Sequence, residues 1–405
     1  MSKTLRNNIS RKNKKSKKNV KKNIKHSSRK TKINKMMGGV NKMSEYFSQI
    51  IESIESGNVK ELNLNQPLSL QDVIILSNRL SNNLITTTSL IVNPSTEISQ
   101  KGMLFLIKAL ISNTTLTILN ISDNIIYKNK EIIKVLEEVL KTNKTLKSLD
   151  ISHTRLVNDG IKAIAKGLQV NTTLTNFNIN GNVMGSIGIQ AIAEALKVNN
   201  SLIELNIGDR AVEVDNEWID ILSQDIEAIA FSAIGGIVNG EIKNSNIKKL
   251  DISGLNINDE SIIYIANALR NNETLTHLDI SDNRFSYNGA EILIDALENN
   301  TTLVKLNIKF NQMDRHDNQY IIIKNRLRQI LARNIKMSPR SLKLFNTAAR
   351  SFKKHELGLN IPTNNNLPID VRNKLADYNE RMSTITPTDV NQIHRNNPNL
   401  GLIAH

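Results

Sequence analysis

The chain has 405 residues, 39% of them apolar and 4% aromatic, with no cysteine and a formal net charge of +15. That length and apolar share are enough for a sizeable globular core. A disulfide-stapled framework is excluded. With no apolar run near about 18 residues and no signal-peptide core, the expectation is an intracellular protein without a membrane span.

Charge is uneven along the chain. Residues 1–40 hold 15 of the 53 lysines and arginines and no acidic residue, which leaves 38 basic against 38 acidic residues in the remainder. The run Arg11, Lys12, Lys14, Lys15, Lys17, Lys18, Lys21 and Lys22 has too few apolar neighbours to build a core, so residues 1–43 are expected to be a disordered basic tail. Three roles are open to it. It is a nuclear or nucleolar address with nonspecific nucleic-acid contact, or an arm drawn to an acidic membrane surface, or a solvated tail without a task in an otherwise cytoplasmic protein. No aromatic residue precedes Tyr46, so base stacking by the tail is not expected.

Residues 44–58 (SEYFSQIIESIES and the next two) read as an N-terminal capping helix with Ser44 as its N-cap. From residue 59 to about 336 one block recurs. Anchored on its first apolar residue, it starts at Val59, Thr87, Leu116, Leu146, Leu174, Leu202, Ile247, Leu275 and Leu303, with spacings of 28, 29, 30, 28, 28, 45, 28 and 28. The clearest copies open L-x-x-L-x-I-x-x-N, as in Leu116, Leu119, Ile121 and Asn124, whose alternation predicts a short strand, while the first two, with Thr87 and Pro67, fit by spacing alone. An amphipathic helix follows, with apolar residues at Ile161, Ile164, Ala165 and Leu168 in one copy, and then an Asn-rich corner. Strands joined by helices predict an α/β array with a parallel sheet, and one unit cannot bury both apolar faces alone, so neighbours must stack. The sequons at Asn113, Asn171, Asn199 and Asn300 fall at these corners and carry no weight. The closing Asn of the pattern is replaced by Thr154, Arg210 and Leu255 in three copies.

The longest copy carries an insertion near 211–225, expected between strand and helix. It holds the only tryptophan, Trp218, among acidic residues, so it either pins the loop or anchors a partner. Those carboxylates lack the spacing of a calcium loop. After Asn311 a basic amphipathic helix reads as the closing cap, and 337–405 is an expected helical C-terminal region with a loose end.

The repeat pattern resembles the leucine-rich repeat family, and its 28–29-residue helical form is similar to the ribonuclease-inhibitor subtype, over roughly residues 59–330. The resemblance implies a horseshoe solenoid with parallel inner strands, outer helices and helical caps, and partners docked on the concave face. The fourth residue after each anchor then falls on that face, and eight of nine are Asn or Asp, among them Asp150, Asn178, Asn206, Asp251 and Asp279. His277 joins them from the second-residue column. The family pattern itself favours Asn and Asp there, so structural and partner-binding roles are both open.

No cysteine nucleophile, G-x-x-x-x-G-K phosphate loop or paired-His zinc spacing is present, so neither an enzyme nor a cofactor or metal site is expected. The expected function is a noncatalytic protein-interaction scaffold, monomeric, for an unidentified protein partner. Two alternatives follow from resemblance. Ser341, Leu342, Leu367 and Pro368 resemble the two-part adaptor box of ubiquitin ligases, which implies a substrate-recognition adaptor. Some ribonuclease-inhibitor-like repeats activate a small GTPase, although those relatives carry an acidic C-terminal tail that this chain lacks.

Overall fold

The computed structural model describes residues 44–337 apart from 56, 58, 127–128, 210–220, 239–240 and 314–315. The basic tail, Trp218 and the adaptor-box residues Ser341, Leu342, Leu367 and Pro368 lie outside the described residues. The chain divides into two compact units after Gln49. That boundary falls within helix α1 (Glu45–Glu55), whose N-cap Ser44 accepts the Phe47 N–H at 3.1 Å. Ile50, Ile51 and Ile54 are buried in the larger unit.

The larger unit is an array of strand–helix repeats. Strands β1 (Glu61–Leu64), β2 (Ser89–Val92), β3 (Ile118–Asn120), β4 (Ser148–Asp150), β5 (Asn176–Asn178) and β6 (Glu204–Asn206) come first. A separate two-stranded hairpin, β7 (Gly235–Val238) and β8 (Glu241–Asn244), precedes β9 (Lys249–Asp251), β10 (His277–Asp279) and β11 (Lys305–Asn307). Nine of these strands form one parallel sheet in chain order, with β6 paired directly to β9. Such short strands persist because each buries at least one apolar residue. The central residues from Leu62 to Leu306, with Phe177 among them, are at most 5% exposed, while their flanks face outward. Even the polar anchor Thr87 fits, because its buried hydroxyl donates to the Val59 carbonyl at 3.0 Å.

Helices α2 (Leu70–Ser81), α3 (Gln100–Ala109), α4 (Lys130–Thr142), α5 (Asn158–Val170), α6 (Ser186–Leu196), α7 (Ser223–Ile229), α8 (Asp259–Arg270), α9 (Tyr287–Glu298) and α10 (Asn318–Met337) pack each against the next. Their starts are written locally. Asn129 Oδ1 accepts the N–H groups of Glu131 and Ile132 at 3.1 and 3.2 Å, and Asn258 does the same for Glu260 and Ser261. The turns after β3, β4, β5, β9, β10 and β11 each hold a left-handed residue, supplied by Asp123, His153, Gly181, Gly254, Asp282 and Phe310 with φ of 54–71°. At Gly181 the neighbouring His153 ring fills the space a Cβ would occupy, 2.1 Å from its Nδ1, so glycine serves both conformation and packing.

The corners are buried polar clamps. Asn143 Oδ1 accepts the Thr145 and Leu146 N–H groups at 2.9 and 2.8 Å, while its Nδ2 donates to the carbonyls of Leu110 and Asn113, one repeat earlier, at 2.7 and 3.1 Å. Asn113, Asn171, Asn199, Asn272 and Asn300 repeat this scheme. The strand-end position is equally regular. Asn124, Asn182, Asn283 and Asn311 donate to the carbonyls of their own turn and of the previous strand. Thr154, which replaces Asn in its copy, donates to the Ile151 carbonyl at 2.8 Å, and Leu255 simply fills the core.

The long repeat differs from its expected form. Repeat spacing assigns all the extra length to 211–225, ahead of the helix, yet α7 already begins at Ser223. The gap ahead of it is wide all the same: it runs from Asn206 to Ser223, where the preceding repeat needs only Asn178 to Ser186. A second excess follows the helix. From the end of α7 at Ile229 the chain reaches β9 only at Lys249, whereas α6 ends at Leu196 and β6 begins at Glu204. A π-helical turn (Ala230–Ile234) and the β7–β8 hairpin take up that length. The hairpin has a local signal, Asn239-Gly240 after Ile237 and Val238, a dipeptide that favours tight β-turns. Counting repeats passes over it.

Candidate functional site

Two residue columns of the sheet face outward. Strand pairing aligns Ser148, Asn176, Glu204, Lys249, His277 and Lys305 in one row, and Asp150, Asn178, Asn206, Asp251, Asp279 and Asn307 in the next. Together they line a shallow trough of about 380 Å³ over β4–β6 and β9–β11. All six sequence-derived candidates on this face, Asp150, Asn178, Asn206, Asp251, His277 and Asp279, border it. Trp218 and the tail cations lie outside the described residues.

The Asn/Asp row has a local task. Each residue turns one side-chain oxygen back to accept the backbone N–H two positions on, at 2.9–3.2 Å, from Asn120 with Ser122 to Asn307 with Lys309. This closes the turn where the strand ends, and it explains why Asn or Asp fills the position from β3 onward. The other side-chain atoms link neighbours: Asn178 donates to Asp150 Oδ2 at 3.0 Å and Asn307 to Asp279 Oδ2 at 2.8 Å.

The second-residue row is the more variable one, and sequence reading singled out only His277 from it. Lys249 pairs with Glu204 at 2.6 Å, both partly exposed. Burial, then the charges of Lys305 and Lys249, holds the His277 imidazole below its ordinary value, with Glu204 opposing. The apolar floor is Leu149, Phe177, Leu205, Leu250 and Leu278, all buried.

One buried acid escaped the sequence. Asp209 follows β6, where its Oδ2 accepts the Met184 N–H at 3.4 Å and its Oδ1 has no hydrogen-bond partner among the described residues. Desolvation pushes it up to about 7 against that one bond. No pattern position distinguishes it, because only the packing of neighbouring repeats buries it. Among the described residues no group of three or more His, Asp or Glu is placed to hold a metal ion, and no helix is long and apolar enough to cross a membrane.

A chain of strand–helix repeats stacked into one parallel sheet, with its variable residues on the open strand face, is a repeat solenoid. A family pattern described as "Leucine Rich repeat" matches residues 112–126, 142–165, 170–193 and 271–293, four of the copies that form this sheet. These matched copies are leucine-rich repeats. Among solved structures the chain is similar to leiomodin-1 actin-binding site 2, at 18% identity over 62% of this chain and 96% of that one, with a TM-score of 0.27. It is also similar to the leucine-rich repeat-containing protein LegL7 from Legionella pneumophila, at 16% identity over 67% of this chain and 78% of that one, with a TM-score of 0.41. No curated protein matches the sequence.

Proposed function

We propose that the protein is a noncatalytic interaction scaffold whose open sheet face over β4–β11 receives a protein partner. The observation that carries this reading is the trough: six neighbouring strands present two aligned rows of polar and charged side chains over a buried apolar floor. The turns already use one oxygen of each Asn and Asp, so the second-residue row is left to choose the partner. The basic tail, read from composition alone, adds a nuclear or nucleolar address or nonspecific contact with nucleic acid.

The test is affinity purification of tagged full-length protein, of a version carrying Ser148→Arg with Asn176→Arg, and of one lacking residues 1–42. A stoichiometric protein partner that survives tail deletion and disappears with the two arginines supports the reading. A partner retained by the arginine variant places recognition elsewhere and overturns it. Nucleic acid and ribosomal proteins that vanish with the tail support the tail's role alone.

A further inference from the structure

The second-residue row changes character along the sheet. Over β1–β5 it reads Glu61, Ser89, Ile118, Ser148 and Asn176, and over β9–β11 it becomes Lys249, His277 and Lys305. Adjacent strands lie about 4.8 Å apart, so these three form a continuous cationic and imidazole row. Roughly 6.6 Å further along the strands runs the parallel row of Asp251 and Asp279.

The two rows differ in how far their hydrogen-bonding capacity is already used. Asp279 Oδ1 accepts both the Ser281 N–H at 3.0 Å and the Ser281 hydroxyl at 2.6 Å, and its Oδ2 accepts from Asn307. Asp251 Oδ1 accepts the Ser253 N–H at 3.0 Å. On the other row, Lys249 has Glu204, but no carboxylate lies within ion-pair distance of Lys305 among the described residues. The Thr276 hydroxyl lies 2.9 Å from both the Lys248 carbonyl and His277 Nδ1.

We propose that this end of the face takes an acidic segment of a partner protein, with a partner carboxylate set between Lys305 and His277. The assignment rests on the interaction-face reading above and adds the partner's chemistry to it. A carboxylate side chain fits better than a phosphate backbone, because the Asp251–Asp279 row lies beside the cationic one and repels a continuous polyanion. The floor also offers no exposed ring for base stacking: Phe177 is 2% exposed.

A consequence follows for pH. Charged groups face His277 from every strand packed around it: Glu204 on β6, Lys249 and Asp251 on β9, Asp279 beside it on β10 and Lys305 on β11. With burial and the two lysines disfavouring the imidazolium in the free protein, an arriving carboxylate opposes them, and the imidazole takes up a proton from solvent as the segment docks. Affinity therefore rises as pH falls through the bound-state value and levels off below the free-state value.

The experiment measures fluorescence anisotropy of a labelled peptide with isolated glutamates among neutral residues on the full chain and on its Lys305→Gln and His277→Gln variants. The histidine NMR spectrum of each confirms folding. All three carry the same tail, so its contribution is common to them. Lys305→Gln is expected to weaken binding about tenfold. Wild type is expected to tighten at least about threefold between about pH 7.5 and about pH 6, and His277→Gln to lose that gain. Equal binding by all three proteins, or an oligonucleotide that displaces the peptide and perturbs the His277 resonance more strongly, overturns the proposal. If the arginine variant of the preceding section still loses its partner while the peptide fails here, the face stands and only the acidic assignment falls.

Discussion

Asn143 shows how much one carboxamide does in this array. It accepts two backbone N–H groups of its own corner and donates to two carbonyls of the preceding repeat, all out of water. An orphaned buried group costs about 1–3 kcal/mol, so Asn143→Ala is expected to destabilise by at least that much in chemical denaturation. Asn143→Asp is expected to fare no better, since it keeps the acceptor, loses both donors and buries a charge. The same bonding bears on the sequons. Asn113, Asn171 and Asn300 are at most 4% exposed with Nδ2 engaged, so the folded protein offers no glycan acceptor there.

Asp209 makes a prediction of opposite sign. Its folded-state value of about 7 lies above the ordinary carboxylate range, so the protonated form is the one folding favours. The stability it contributes is present in full below the ordinary range and is lost as pH rises through about 7. Asp209→Asn removes that dependence. Denaturation midpoints at a series of pH values should show the variant more stable than wild type above pH 7, by up to about 4 kcal/mol, with the gap closing toward pH 4. A constant gap across that range would place the carboxylate in a different environment.

Among the elements, α10 closes the array by imitation. In the inner repeats the next corner asparagine caps the carbonyls of the corner before it, as Asn300 does for Leu269 and Asn272. After the corner at Asn300, Arg333 takes that part, donating to the carbonyls of Leu297, Glu298 and Asn300. Asn334, fully buried, donates to the Leu303 carbonyl at 2.8 Å, and Arg326 pairs with Glu291 and Glu298. Arg333→Ala leaves three carbonyls without their donor and should cost about 1–3 kcal/mol. Hydrogen exchange would locate the loss in β11 and α10, not in β3–β5. Helix periods announced these elements in the sequence. The split insertion was not legible in that way, because a departure from repeat length shows that residues have been added without showing where they fold. Asn239-Gly240 gave the hairpin a local sign, but one that repeat spacing does not weigh.

Across the whole array, stability is a chain of neighbour interfaces. The sheet passes from β6 straight to β9, so the hairpin between them interrupts the sequence but not the ladder. Leu250 sits at that junction, 2% exposed. Leu250→Ala is expected to cost about 2–5 kcal/mol in cavity and transfer terms. If the long repeat is as tightly coupled as the others, denaturation will remain a single transition at a lower midpoint. Two separated transitions would mark this junction as the weak interface of the solenoid.

The sequence by itself determined the repeat, its register and which residues face out. Period-two strands and 3.6-period helices, recurring at a nearly constant interval, allow one way to bury both apolar faces. Counting from the anchors placed Asp150, Asn178, Asn206, Asp251, Asp279 and His277 on one face. The tertiary structure decided what those positions do. Only stacked strands show that the Asn/Asp row is tied to its own turns, and that Asp209 is buried. Lys249, His277 and Lys305 come from three successive repeats and become neighbours only through strand pairing. The reason is physical. Local pattern sets which way a side chain points, whereas charge pairing, desolvation and hydrogen-bond saturation depend on what the adjacent repeat brings within a few ångströms.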